Sequence, residues 1–255
     1  MEEIFLNNDI NTASQYFNPI NLTYFLFILI VAPFIMLIIR KLNVNGKDLA
    51  IIIVLSLFLF YVRIMLVVYQ DTIGIMPYIS PDITFYTILT IFGVSFSIFY
   101  ILKIEKKTFA EIGFTRGRNI KNIGMGLLSF LPLMALFPAI SILGNIQISP
   151  VITWEKVVLG IGFGLILGGF YEEVMFRGII QNHFMQLTSK RKAILLTAGV
   201  FVATHIGYLP FTGFGIFYVF LTVMALLLSY LRLKYNQISC VILHGGIVFV
   251  LVLFV

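Results

Sequence analysis

The chain has 255 residues, 60% hydrophobic and only 11% charged, with a mean hydropathy of +1.04. A water-soluble globule, roughly half apolar and a quarter charged, is excluded. The net charge of +6 comes from cations dispersed among loops, which argues against a nucleic-acid partner, and the single cysteine, Cys240, rules out an internal disulfide or a Cys-rich zinc module.

The apolar runs predict an all-α fold, a polytopic membrane bundle of about eight transmembrane helices forming a single domain over residues 1–255. The spans fall near 20–39, 49–69, 84–102, 123–143, 155–177, 192–206, 214–231 and 238–255. Ahead of the first, Glu2, Glu3 and Asp9 replace the basic flank of a secretory signal, so this run is expected to be a retained span. Fourteen of the seventeen Lys and Arg residues lie in the odd-numbered connections, whereas the even ones and the N-terminus carry Asp71, Asp82 and Glu155 among others. The positive-inside bias then predicts a multi-pass cell-membrane protein with its basic loops in the cytosol and both termini outside. In the connection 103–122, Thr108-Phe109-Ala110-Glu111-Ile112-Gly113-Phe114 reads either as a short interfacial amphipathic turn or as a solvated loop. Pro132 and Pro138 each remove a helical hydrogen bond from the fourth span.

A charged side chain in hydrocarbon costs at least ~2.5–3.5 kcal/mol on insertion scales, so every ionisable residue inside a span needs a partner or a task. Arg63 is seven residues from Gln70 and can snorkel toward Asp71. The run Phe170-Tyr171-Glu172-Glu173-Val174-Met175-Phe176-Arg177 is different. Glu173 and Arg177 stand at i, i+4 and can neutralise one another, leaving Glu172 turned about 100° away without an internal cation. A carboxylate in that position suits general-base chemistry, and the same pattern also suits structural ion bridges between helices. Gly160, Gly164 and Gly168 recur at four-residue intervals on this helix, with Gly162 and Gly169 besides, a spacing that admits a neighbouring backbone.

Phe201-Val202-Ala203-Thr204-His205 closes the next span. Glu172 and His205 are nearly equidistant from the basic turn at 187–192, which in an antiparallel hairpin places them at one level. His244, in Leu243-His244-Gly245-Gly246 of the last span, lies ten residues past Lys234, about 15 Å into the membrane. Three polar groups from three spans thus converge on one depth. For His205 to reach it, residues 207–213 must return through the outer half as irregular chain. His183 is expected below the membrane and is assigned no task.

The set Glu172-Glu173-xxx-Arg177, Phe201-xxx-His205 and His244, in this order, resembles the motifs of the CAAX prenyl protease and bacteriocin-processing family, also called the Abi family, over a core of about 155–250. The resemblance implies an intramembrane glutamate endopeptidase that uses no metal and no cofactor. Glu172 would act as general base on a water, His205 would position and polarise that water, and His244 would stabilise the oxyanion. Glu173, Arg177 and Phe201 would support them. It implies as substrate a hydrophobic or lipidated peptide or membrane protein, in bacteriocin or peptide processing or immunity. The Ile-, Asn- and Lys-rich composition looks like that of an AT-rich bacterial genome and favours a bacterial substrate over a prenylated protein. One position departs from the family pattern: Val248 stands four residues after the last His, where Asn or Asp is usual, unless Tyr208 or Thr204 substitutes. A non-catalytic immunity or peptide-binding protein is therefore the alternative reading. A zinc-dependent one would need its ligands from three helices, since no His-Glu-x-x-His helix is present.

Overall fold

In a computed structural model, the structure describes residues 44–72, 83–115, 119–136, 138, 142, 151–205 and 215–254. The expected first span, Tyr208 and the segment 207–213 lie outside the described residues, as does the side chain of Arg63. Seven helices and no strand are found among the described residues. They are α1 (Val44–Thr72), α2 (Ile83–Phe99, continued in π-type turns through Tyr100–Glu105), α3 (Asn119–Ala135), α4 (Trp154–Leu187), α5 (Lys190–Thr204), α6 (Ile216–Lys234) and α7 (Gln237–Phe254). Of these, α4, α6 and α7 are long and apolar enough to cross a bilayer. With the composition, they make this a helical membrane protein. Pro132 sits inside α3, and Pro138 and Ile142 beyond it are also helical, while the rest of the expected span to 143 lies outside the described residues.

Local chemistry fixes where the later helices begin. Thr153 caps α4 by accepting the Lys156 N–H, and Ser189 caps α5 by accepting that of Lys192. Asn236 Oδ1 accepts the N–H groups of Ile238 and Ser239 and so starts α7 only two residues after α6 ends. The chain therefore doubles back sharply at 187–190 and at 234–237, which sets α4 against α5 and α6 against α7.

Helix α4 is the central element. Much of it is wound in π-type turns, each N–H bonding the carbonyl five residues back, a geometry that recurs at functional sites. From Val174 to Ile180 every residue is buried, so this half is enclosed on all sides. Its other half meets α7 across glycines. A Cβ built on Gly164 would lie 2.6 Å from the Phe249 nitrogen, and one on Gly169 would lie 2.9 Å from the Val241 oxygen and 3.0 Å from Gly245 Cα. Gly160 faces Phe249 and Gly168 faces Val248, whereas Gly162 meets Thr90 only at ordinary contact distance. The four-residue repeat thus marks a backbone-to-backbone crossing with the helix that bears His244.

The connection after α2 is an ordered turn. Thr108 and Glu111 bond reciprocally: the Thr108 N–H and hydroxyl both donate to Glu111 Oε2, and the Glu111 N–H donates to Thr108 Oγ1, in the manner of a capping box. Ile112 is fully buried against Gly178, and Phe109 and Phe114 pack on Phe170 with ring centres 6.5 and 5.8 Å away. Of the two readings of this segment, the amphipathic turn is the one realised.

Candidate active site

The backbone of α4 presents Glu173, Arg177 and Gln181 at four-residue steps on one fully buried stripe. Arg177 Nη1 donates to Glu173 Oε1 at 2.8 Å, the contact that the i, i+4 spacing predicts. Its Nη2 donates to the Ala225 carbonyl at 3.3 Å, and one turn further Gln181 Nε2 donates to the Ser229 carbonyl at 2.9 Å, so the stripe also anchors α4 to α6. The guanidinium carbon lies 4.3 Å from the centre of the Phe201 ring, close enough for cation–π attraction. A buried ion pair is stable only when its desolvation is offset by such further contacts.

Helix α7 brings His244 to both carboxylates. Its Nδ1 is 2.7 Å from Glu173 Oε1, and its Nε2 is 3.9 Å from Glu172 Oε2. Glu173 Oε1 also receives Arg177 and is an acceptor, so the proton of the short contact belongs to His244 Nδ1. That choice leaves Nε2 directed at Glu172. Glu173 has no exposure, whereas the Glu172 side chain retains 21%. The two adjacent carboxylates therefore occupy different surroundings: one is locked between a guanidinium and an imidazole, and the other stands at the edge of the cluster.

His205 ends α5, nearly buried. Its Nδ1 lies 2.7 Å from the Phe201 carbonyl, which can only accept, so Nδ1 carries a proton. Its own carbonyl accepts from the Tyr218 hydroxyl at 2.8 Å, which pins the end of α5 to α6. Phe201 links the two imidazoles, with its ring centre 4.5 Å from that of His205 and 5.5 Å from that of His244. The structure thus gathers Glu172, Glu173, Arg177, Phe201, His205 and His244 around one aromatic ring and one buried carboxylate. Val248 packs on Gly168 at the helix crossing, and the Thr204 hydroxyl is spent on the Phe201 carbonyl at 2.8 Å.

Two sets of residues escaped the sequence reading. Gln237 is wholly buried and donates through Nε2 to the main-chain carbonyl of Glu173. His183, given no task above, bridges two carboxylates at the other end of α4: Nδ1 is 2.7 Å from Asp48 Oδ1, and Nε2 is 3.0 Å from Glu105 Oε1. Lys107 adds a 2.8 Å contact to Glu105 Oε2. Burial raises the Glu105 pKa, and the hydrogen bond and charge of His183 together with Lys107 override it and bring it down to about 2. These partners come from α1, the end of α2 and α4, so no local pattern reveals them.

What the fold and the site define is a membrane-embedded helical bundle with a carboxylate–imidazole centre between its core helices. Residues 154–250, from the start of α4 into α7, match the family described as Type II CAAX prenyl endopeptidase Rce1-like, which bears out the resemblance over that stretch. The matched stretch contains all six of the residues gathered here. No curated protein and no solved structure matches the chain.

Proposed function

We propose that the chain is an intramembrane glutamate endopeptidase, built as one multi-pass domain with its basic loops in the cytosol. The observation that carries this reading is the division of labour between neighbouring carboxylates. Glu173 is buried and takes Arg177 and His244 on its Oε1, while Glu172 keeps some exposure and faces His244 Nε2 across 3.9 Å. That separation exceeds a direct hydrogen bond and is one over which a water bridges.

In this reading Glu172 takes a proton from a water as its oxygen adds to the scissile carbonyl carbon. His205, its ring oriented by the Nδ1 contact to the Phe201 carbonyl, helps to position and polarise that water. The His244 ring, its Nδ1–H fixed by Glu173, presents Nε2–H in its protonated form to the developing oxyanion. Collapse of the tetrahedral intermediate breaks the C–N bond, and the proton held by Glu172 passes to the leaving amine. Metal and cofactor have no step in this scheme. Similarity to a prenyl endopeptidase family supports a hydrophobic or lipidated peptide or membrane protein as substrate, and a bacterial peptide in bacteriocin processing or immunity is the preferred one.

The alternative, a non-catalytic immunity or peptide-binding protein, is favoured by Val248, which places no donor where the family pattern has one. Glu172→Gln separates the two. The carboxamide keeps shape and hydrogen bonding but cannot act as a base, so cleavage of a fluorogenic hydrophobic peptide by the purified protein should fall at least 100-fold. Cleavage at the wild-type rate would remove the base assignment, and cleavage lost to a strong chelator would favour a zinc enzyme.

A further inference from the structure

Helix α7 holds Glu173 at two points. His244 takes its side chain, and Gln237, seven residues earlier and so on nearly the same face, takes its main-chain carbonyl. Gln237 is fully buried, and its Oε1 is enclosed with no hydrogen-bond partner among the described residues. A half-satisfied buried amide is costly where an apolar side chain would not be, so its single side-chain bond must be worth keeping. Its own N–H donates to the Gly113 carbonyl at 3.0 Å. Gly113 has φ +106°, and a Cβ there would run into the Arg232 guanidinium, so only glycine serves at this point. One residue thus joins the 108–114 turn, the start of α7 and the peptide that follows Glu173.

The crossing of α4 and α7 explains why such a tie is needed. Gly164, Gly169 and Gly245 bring the two backbones into contact, so the register along the axis rests on few side chains, Phe249 against Gly160 and Val248 against Gly168 among them. Glu172 and His244 lie on opposite sides of this contact, and a slip of about 1 Å would change their relation enough to cost up to ~10²-fold in rate. We infer that Gln237 is a positioning residue that sets the axial register of α7 against α4 and so fixes the Glu172–His244 separation. Its consequence for catalysis rests on the endopeptidase reading, and its effect on the cluster does not.

The test uses the full chain in micelles with ¹⁵N-histidine labelling, which reports on only three rings, His183, His205 and His244. Gln237→Met keeps length and apolar volume but has no donor. The ring signals of His244, assigned by their loss in His244→Gln, should shift or broaden while those of His183 stay in place. Turnover of the fluorogenic peptide should fall roughly tenfold in kcat with little change in KM. Gln237→Glu supplies a donor only when its carboxyl is protonated, so both the His244 signals and the rate should move toward wild type as the pH is lowered. Unchanged His244 signals in Gln237→Met overturn the inference. If that variant does not fold, His244 signals in Gln237→Glu that ignore pH overturn it equally. Shifted signals in a protein whose wild type cleaves no peptide would leave Gln237 in this task and remove the endopeptidase reading.

Discussion

The molecule contains two histidine–carboxylate clusters on α4 and its neighbours, and they are built differently. At His183 both ring nitrogens are within hydrogen-bond reach of carboxylates, 2.7 Å to Asp48 and 3.0 Å to Glu105, and all three side chains are buried. At His244 only one nitrogen is so engaged, by Glu173, and the other faces a partly exposed Glu172 across 3.9 Å. The first cluster has spent its polar capacity on fastening three segments of chain. The second sets His244 between a buried carboxylate and a partly exposed one, the arrangement that the proposed reaction uses.

The comparison breaks most plainly through a crossed pair of variants. Glu172→Gln should lower peptide cleavage by ~10²–10⁴ and leave the thermal midpoint nearly unmoved. His183→Leu should do the converse: removing one partner of a buried ionic cluster costs about 3 kcal/mol or more, read as a lower unfolding midpoint, with turnover below that temperature preserved. Equal losses of activity and stability in both variants would erase the distinction. The same fastening should be visible in acid. Glu105 titrates near 2 in the folded chain against 4.5 for the free side chain, so its contribution is complete above about 4.5 and is lost as the pH falls through that window toward 2. Unfolding midpoints measured from pH 5 to 2.5 should therefore drop more steeply in wild type than in His183→Leu. At the helix crossing, Gly169→Ala forces a methyl against the Val241 carbonyl and Gly245, and should lower cleavage about tenfold through separation of α4 and α7. The smallest effect concerns Val248→Asn, which restores a donor at the family position and should raise kcat a few-fold if the oxyanion is short of one. A rate unchanged or lowered by this substitution would show that Val248 is settled packing against Gly168.

How much of this was legible in the sequence depended on the range of each contact. The Glu173–Arg177 pair follows from helical spacing alone, and the glycine repeat announced a close crossing without saying which helix it meets. His205 and His244 could be placed by counting residues from turns, because a membrane helix advances a fixed distance per residue. The tie between Gln237 and Glu173 joins residues 64 apart, and that between His183 and Asp48 joins residues 135 apart. Neither leaves a periodicity to read. The expected place of His183 below the membrane gives it no need of a protein partner, whereas packing of α1 and α2 around α4 encloses it. Asp48 carries no signal for a related reason, since it stands just outside the expected second span.

The glycine contact between α4 and α7 has one more consequence, for traffic. Where Gly169 and Gly245 meet main chain to main chain, no gap remains of the ~4.7 Å that an extended polypeptide strand occupies. That seam is shut to any incoming chain, as it is to a lipid tail. Whatever arrives at Glu172 must come in along another flank of the bundle, with the paired helices at its back as a wall.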